Sequence, residues 1–268
     1  MKKMDIAARV LENLPAGPGC RLIRLRAPEL AGAFRPGQFA QLRLRPDRLT
    51  PFLRRPFAPC AYWPDGFSIF YAVSGRGTSL LAETPPGEEI GALGPLGNAY
   101  SLPSPGGQAL LLGGGAGAPS LGPLLELLRE NGTETVLALG ARDESRLPRE
   151  PELAALAGRT LIATDDGGRG FAGNVVDAVR ADPENVLARA SRLYACGPLP
   201  MLRAAAGLAA ERSLPCEVSL EARMACGFGA CLGCAVPMRT ADGGPAYRRA
   251  CHDGPVFEAG SVDWSRLE

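Results

Sequence analysis

Four of the eight cysteines in this 268-residue chain carry a pattern that could do chemistry. In RMACGFGACLGCAVP, residues 223–237, Cys226, Cys231 and Cys234 follow a C-x4-C-x2-C spacing, and Cys251 comes after sixteen intervening residues. This is the plant-type spacing of a [2Fe–2S] cluster, in which four thiolates share two irons. Such a group needs a backbone that curls around it and aims N–H groups at its sulfurs. Gly227, Gly229, Ala230 and Gly233 leave room for that approach. Structural zinc is the alternative, but zinc sites usually pair two short cysteine hooks. Here three thiols come from one loop and the fourth stands apart. His252 is the only histidine, and a Rieske centre needs two, so it reads as a bystander. Cys20, Cys60 and Cys216 have no such spacing and read as buried or neutral thiols.

A one-electron centre needs an electron donor, and three other stretches suit an organic cofactor. In RRPFAPC, residues 54–60, an arginine followed two residues on by an aromatic could clamp a pyrophosphate and cover a flavin ring. SGRGT, residues 74–78, sets two glycines and a hydroxyl after a strand, which suits phosphate oxygens. LLLGGGAGAPS, residues 110–120, reads as strand, glycine turn and helix start. Gly113, Gly114, Gly115 and Gly117 do not match G-x-G-x-x-G, yet glycines before a helix N-terminus still favour a dinucleotide. Cys196, Gly197 and Pro198 close another strand, at the edge where α/β folds place ligands. Read singly, RRPF is also an ordinary solvated loop and the glycine run an ordinary tight turn.

The elements that must position these residues fall into two kinds. Residues 1 to about 101 read as strands: Ile23 and Leu25 alternate with Arg24 and Arg26, and Leu42 and Leu44 with Arg43 and Arg45. DGFSIFYAVSGRGTSLL reads as a strand and then a turn. Proline and glycine punctuate the runs, which predicts a small antiparallel barrel. After the proline- and glycine-rich residues 101–108 the pattern changes. Apolar strands ALLLGGG, TVLALGAR, RTLIATDDG and RLYACGP alternate with helical stretches: Leu121, Leu124, Leu125 and Leu128, then VVDAVRA, then the alanine-rich segment opened by Pro200. That alternation predicts a parallel sheet with helices on its faces. The expected division is a barrel over residues 1–101, an α/β domain over 102–217 and a small cysteine domain over 218–268.

A net charge of +1 gives no electrostatic case for nucleic acid or an anionic membrane. No stretch approaches the roughly 18–20 apolar residues of a membrane span. The basic start MKKMDIAARV lacks the apolar run of a signal peptide. The default expectation is the cytoplasm, where clustered cysteines more often bind metal than pair.

In this order the pieces resemble the ferredoxin–NADP reductase superfamily, with a flavin barrel followed by a nicotinamide-binding α/β domain. SLEARMACGFGACLGC and ACHDGPVF resemble, within it, the iron–sulfur electron-transfer subunits of type B dihydroorotate dehydrogenase. PGQF (36–39), GPLGNAY (94–100) and TDDG (164–167) are supporting matches. The resemblance implies FAD on Arg55, Pro56, Phe57 and Ala58, with Ala58 at a position where the family usually has serine. It further implies FAD on Phe70, Tyr71, Ala72, Gly77 and Thr78. NAD(H) falls on Gly113 to Gly117 and on Cys196, Gly197 and Pro198, with Cys196 near the nicotinamide, and the cluster falls on Cys226, Cys231, Cys234 and Cys251. The implied partner is an FMN-containing catalytic subunit that oxidises dihydroorotate, in a heterotetramer of two plus two, with electrons running outward to NAD. This chain offers no base for dihydroorotate. A relay for another acceptor, as in ferredoxin–NADP transhydrogenase or sulfide dehydrogenase small subunits, is the second reading; some of those carry aspartate at the first cluster position, where this chain has Cys226. A zinc-binding interaction module is the third. Arg142 either meets a 2′-phosphate or is a solvated loop residue, and NADH is favoured over NADPH from resemblance alone.

Overall fold

A computed structural model describes residues 3–44, 52–240 and 243–267. The first half forms β1 (Met4–Pro15), β2 (Cys20–Arg26), β3 (Phe39–Arg43), β4 (Arg55–Phe57), β5 (Ala61–Trp63), β6 (Gly66–Ala72) and β7 (Glu89–Leu96). Among the described residues these make one antiparallel sheet in the order β4-β3-β7-β1-β2-β6-β5. The period-2 reading holds at both quoted strands. Ile23, Leu25, Leu42 and Leu44 are buried with Val10, Phe67, Ile69 and Ile90 on the concave face, while Arg45 lies outside the described residues.

The expected turn at SGRGTSLL is instead a helix. It follows the short α1 (Pro28–Ala31), and this second helix, α2 (Arg76–Ala82), seats the fully buried Leu81 in the barrel core. The Thr78 hydroxyl accepts the N–H groups of Ser74 (2.9 Å) and Gly75 (3.1 Å), closing the helix start. A single apolar anchor and a three-residue cap leave little helical period to read.

The second half contains β8 (Gln108–Gly114), α3 (Gly122–Glu130), β9 (Glu134–Ala141), α4 (Glu150–Leu156), β10 (Arg159–Thr164), β11 (Phe171–Ala172), α5 (Val175–Arg180), α6 (Val186–Arg189), β12 (Ala190–Cys196), α7 (Leu199–Glu211) and β13 (Cys216–Ser219). The remaining strands are β14 (Ala235–Met238), β15 (Ala246–Arg249) and β16 (Val256–Glu258). The sheet order is β11-β10-β9-β8-β12-β13-β16, parallel except for β16, which runs antiparallel to β13. Because β8 is covered on both faces, it is apolar throughout. Leu110 and Leu112 pack toward α5 and α7, and Ala109 and Leu111 toward α3. Leu124, Leu125 and Leu128 are fully buried on α3, so truncating any one to alanine would cost about 2–5 kcal/mol.

The cysteine segment is built into this sheet rather than hung beside it. Strand β16 extends the sheet, and Cys234, Val236, Cys251 and Trp264 share the core of α5 and α7. The barrel is clasped to the same segment. Asn98 donates through Nδ2 to the carbonyl of Val256 (2.8 Å), and its Oδ1 accepts Val256 N–H (3.0 Å). Asn98 N–H in turn donates to the Gly254 carbonyl (2.7 Å). Gly97 fits tightly against this clasp. At φ +74° its Cβ would fall 2.5 Å from Pro255 Cδ. GPLGNAY and CHDGPVF therefore meet each other.

One buried ion pair braces the α/β domain. The Asp182 carboxylate is buried and accepts bonds from the Arg159 guanidinium and from Val186 N–H (3.1 Å). The guanidinium holds the Asp182 carboxyl below the usual carboxylate range. With a lowered folded pKa, its contribution is complete above the unfolded value of about 3.9 and is lost as pH falls through the folded one. Asp182→Asn is expected to cost about 2–3 kcal/mol at pH 7, less than a fully buried pair because Arg159 is partly exposed. Urea unfolding at pH 7 and pH 3 checks this, since the difference between wild type and variant must shrink at the lower pH.

Candidate cofactor and cluster sites

The four patterned thiols form two pairs. Cys226 lies beside Cys231. Cys234 lies beside Cys251, whose N–H points at the Cys234 sulfur (3.4 Å). Among the described residues, no three or more metal-ligating side chains converge on one ion. Two irons, each with two thiolates, ask for two pairs rather than one convergence.

The loop amides turn inward as a cluster requires. Burial raises the Cys226 thiol, but N–H groups from Phe228, Cys231 and Ala230 outweigh it and hold the thiol down to about 6. Gly229 N–H points at Cys251, which burial and the neighbouring Cys234 push up to about 12. Gly227 and Gly229 have φ of +79° and +94°, and their Cβ atoms would strike Gln41 (2.5 Å) and the His252 ring (3.0 Å). Only glycine fits at either place. Arg249 holds the two ligand-bearing segments together. It donates to the Gly229 carbonyl (3.0 Å) and to the Asp253 carboxylate (3.0 and 3.1 Å). His252 joins this network through Asp253 (2.9 Å). Cys231 is exposed, flanked by Phe228 and Leu232, which are 45% and 65% exposed. The donor set, its pairing and its amides fit a [2Fe–2S] group.

The residues expected to hold a flavin surround a cavity of about 340 Å³. Its walls include Arg55, Pro56, Phe57 and Ala58 from β4 and its end, Phe70, Tyr71 and Ala72 from β6, and Thr78. The Phe57 and Tyr71 rings meet edge to face at 5.9 Å, and Tyr71 donates to Asn13 Oδ1 (3.0 Å). Gly77 does not line the cavity. Its missing side chain makes room for Arg55, since a Cβ there would lie 3.1 Å from Arg55 Nε. The cavity's size, its aromatic wall and its single arginine fit a flavin nucleotide.

A second cavity of about 980 Å³ opens beyond the C-terminal ends of β8, β9 and β10. Gly114, Gly115 and Pro198 line it, together with Arg142, Asp165 and the β1–β2 loop. Phe70, Ala72 and Ala116 line both cavities, so the two share a wall. Gly117 and Cys196 instead face the smaller cavity, and the Cys196 sulfur sits 3.2 Å from Ser120 Oγ. Burial pushes the Cys196 thiol up to about 11, so it stays protonated at neutral pH. Gly113 and Gly197 line neither cavity. A Cβ on Gly113 would strike Ala118 (2.9 Å), and one on Gly197 would strike Met201 (2.7 Å). They serve close packing of strand and helix.

Ser219, Glu221, Ala222 and Met224, from the stretch SLEARM that the sequence pattern ties to the cluster rather than to the flavin, also line the flavin-sized cavity. Burial raises the Glu221 carboxyl, and no hydrogen bond or ion pair joins it among the described residues. These four residues lead directly into Cys226. The sequence pattern ties this stretch to the cysteine loop, and the turn of the chain after β13 brings it to the flavin-sized cavity as well.

Known proteins agree with this geometry. Residues 221–263 match the iron–sulfur cluster binding domain of dihydroorotate dehydrogenase B. The dihydroorotate dehydrogenase B (NAD(+)) electron transfer subunit of Bacillus caldolyticus is 42% identical over 231 residues, 85% of this chain and 86% of its own. The subunit of the same name from Desulforamulus reducens is 35% identical over 259 residues, 96% and 97% of the two chains. A solved structure of an NADH-dependent reduced ferredoxin–NADP oxidoreductase, studied for flavin-based electron bifurcation, superposes with a TM-score of 0.85 at 28% identity. It covers 98% of this chain and 91% of that one. With that identity sustained over most of its length, the chain belongs to the family of dihydroorotate dehydrogenase B electron transfer subunits.

Proposed function

We propose that this chain passes electrons between an FMN-containing dihydroorotate dehydrogenase catalytic subunit and NAD, in the cytoplasm, in a heterotetramer of two subunits of each kind. The observation that carries the reading is the short segment 219–224. It lines the flavin-sized cavity and two residues later supplies Cys226 of the paired thiols. A relay needs its two carriers that close. We place the FAD barrel at residues 1–101, the nicotinamide domain at 102–217 and the cluster segment at 218–268.

When bound, FAD supplies the exchange between a hydride's paired electrons and the single electrons a [2Fe–2S] cluster carries. The chain's own residues bind and orient. Arg55 would meet the flavin pyrophosphate, Phe57 and Tyr71 would wall the ring system, and Ala58 offers that wall no hydroxyl. Thr78 shapes the pyrophosphate turn through its cap of α2 rather than through a free hydroxyl. Gly114, Gly115 and Pro198 would border the nicotinamide dinucleotide, while Gly117 and Cys196 would border the flavin, where the neutral Cys196 thiol would add no charge. NADH is the favoured nucleotide, in keeping with the NAD(+) of the relatives' names.

The likeness to the NADH-dependent oxidoreductase supports a second reading, a relay to another acceptor such as ferredoxin. Identity supports the first, since 42% and 35% to that group exceed 28% to the second. The test is catalytic. The purified chain is expected to be yellow-brown and to reduce one-electron dyes with NADH. It should oxidise dihydroorotate only after its FMN partner is added. Dihydroorotate turnover by the chain alone, or none after the partner is added, would sink the reading.

A further inference from the structure

Gln41 sits on β3 with its neighbours alternating around it. Ala40 and Leu42 point into the barrel core, so Phe39 and Gln41 point to the opposite face. A polar side chain there would ordinarily meet water. Gln41 does not, because the cysteine loop lies over it and leaves it 0% exposed.

Both polar ends of the carboxamide, Nε2 and Oε1, lack a hydrogen-bond partner among the described residues. A buried amide without partners is costly, of the order of 1–3 kcal/mol. Gln38 on the same edge, by contrast, donates to the Gly97 carbonyl (3.0 Å). The orphaned amide also has a definite neighbour. Gly227 packs so closely that its Cβ would lie 2.5 Å from Gln41 Nε2 and 2.6 Å from Cγ. Gly227 follows Cys226, whose sulfur already collects backbone N–H groups. An iron–sulfur group presents only acceptor atoms, sulfides and thiolates, on that side. A side-chain N–H donor buried against it, with no other acceptor to serve, is matched to it in chemistry.

We infer that the Gln41 carboxamide donates a hydrogen bond to a sulfur of the cluster at its Cys226 end, making Gln41 a positioning residue of the flavin barrel that tunes the cluster. The inference rests on the reading that the four cysteines hold a [2Fe–2S] group. Donors to the sulfurs stabilise the more negative, reduced state, so Gln41 raises the reduction potential. It also makes the barrel that holds the flavin part of the cluster's own surroundings.

The test is an EPR-monitored redox titration of the full chain with wild-type Gln41, with Gln41→Met and with Gln41→Leu. Methionine keeps the length and removes the donor, and leucine removes both. Both variants are expected to titrate lower, by about tenfold in the ratio of reduced to oxidised cluster at fixed ambient potential, which is 59 mV for a one-electron couple. The wild-type reduced cluster should also show an exchangeable-proton coupling by ENDOR that both variants lose. Wild-type potentials in both variants overturn the assignment to Gln41 while the relay stands. Loss of the cluster from both variants, with flavin retained, also overturns it, because Gln41 would then only pack the loop. A wild-type chain without a cluster signal overturns the relay reading and this inference together.

Discussion

Cys251→Ala is expected to yield a protein that keeps its flavin and loses its iron. Cys251 is buried, pairs with Cys234, and receives the N–H of Gly229 from the far side of the loop. It is the one thiol of the four that the loop 226–234 does not supply. Without it the second pair is broken, and Cys234 alone cannot hold an iron. Residues that merely orient a metal's ligands cost 10–100-fold in affinity when lost, and a ligand costs more. The iron content should therefore fall to background, and electron transfer to the catalytic partner subunit by on the order of 100-fold or more. Neither cavity is touched by Cys251, so NADH oxidation by a two-electron acceptor should persist. Iron analysis, visible absorbance and the two assays measured on one preparation check this. A variant with full iron and wild-type transfer would remove Cys251 from the ligand set.

Arg55→Ala is expected to act on the other carrier. Arg55 is the arginine of the flavin-sized cavity, held in place by its bonds to the carbonyls of Leu53 (2.7 Å) and Arg54 (3.2 Å) and by the bare face of Gly77. A preorganised guanidinium facing a pyrophosphate contributes a charge-assisted bond of roughly 1.5–3 kcal/mol. The variant should bind FAD about 10–100-fold more weakly, while retaining its iron and its unfolding transition. Quenching of FAD fluorescence on titration with apoprotein measures the first, and iron analysis the second. Unchanged FAD affinity would move the pyrophosphate elsewhere along the cavity.

The architecture was largely legible because both halves announce their periods. The alternation at Ile23–Leu25 and Leu42–Leu44 is a one-sided strand, and the unbroken apolar run of β8 is a strand buried on both faces. Helix α2 was missed because its apolar anchor is Leu81 and its start is a Thr78 cap inside a glycine turn. The cysteine spacing was plain, but not that the four thiols pair as Cys226 with Cys231 and Cys234 with Cys251. Pairing depends on the fold of the loop, not on distance along the chain. Gln41 was not legible for the same reason. It gains its significance from a neighbour the chain brings from elsewhere, and an isolated glutamine carries no period and no motif. Among the glycines, sequence does not separate Gly114 and Gly115, which border a cavity, from Gly113 and Gly197, which let a strand and a helix touch.

The Asn98 clasp bears on how the protein is made. The barrel is complete by Leu96, and every barrel strand pairs within the first hundred residues. The clasp, strand β16 and the fourth thiol all come from residues 251–258, more than 150 positions later. During synthesis, therefore, the flavin half can fold while the cysteine loop still lacks Cys251, its clasp to the barrel and the strand that anchors it. Contacts so far apart in sequence form late because a long loop must close first. Iron would find all four thiols in place only after residues 251–258 have joined β13 and the Asn98 clasp, so cluster insertion would report on the integrity of the whole chain.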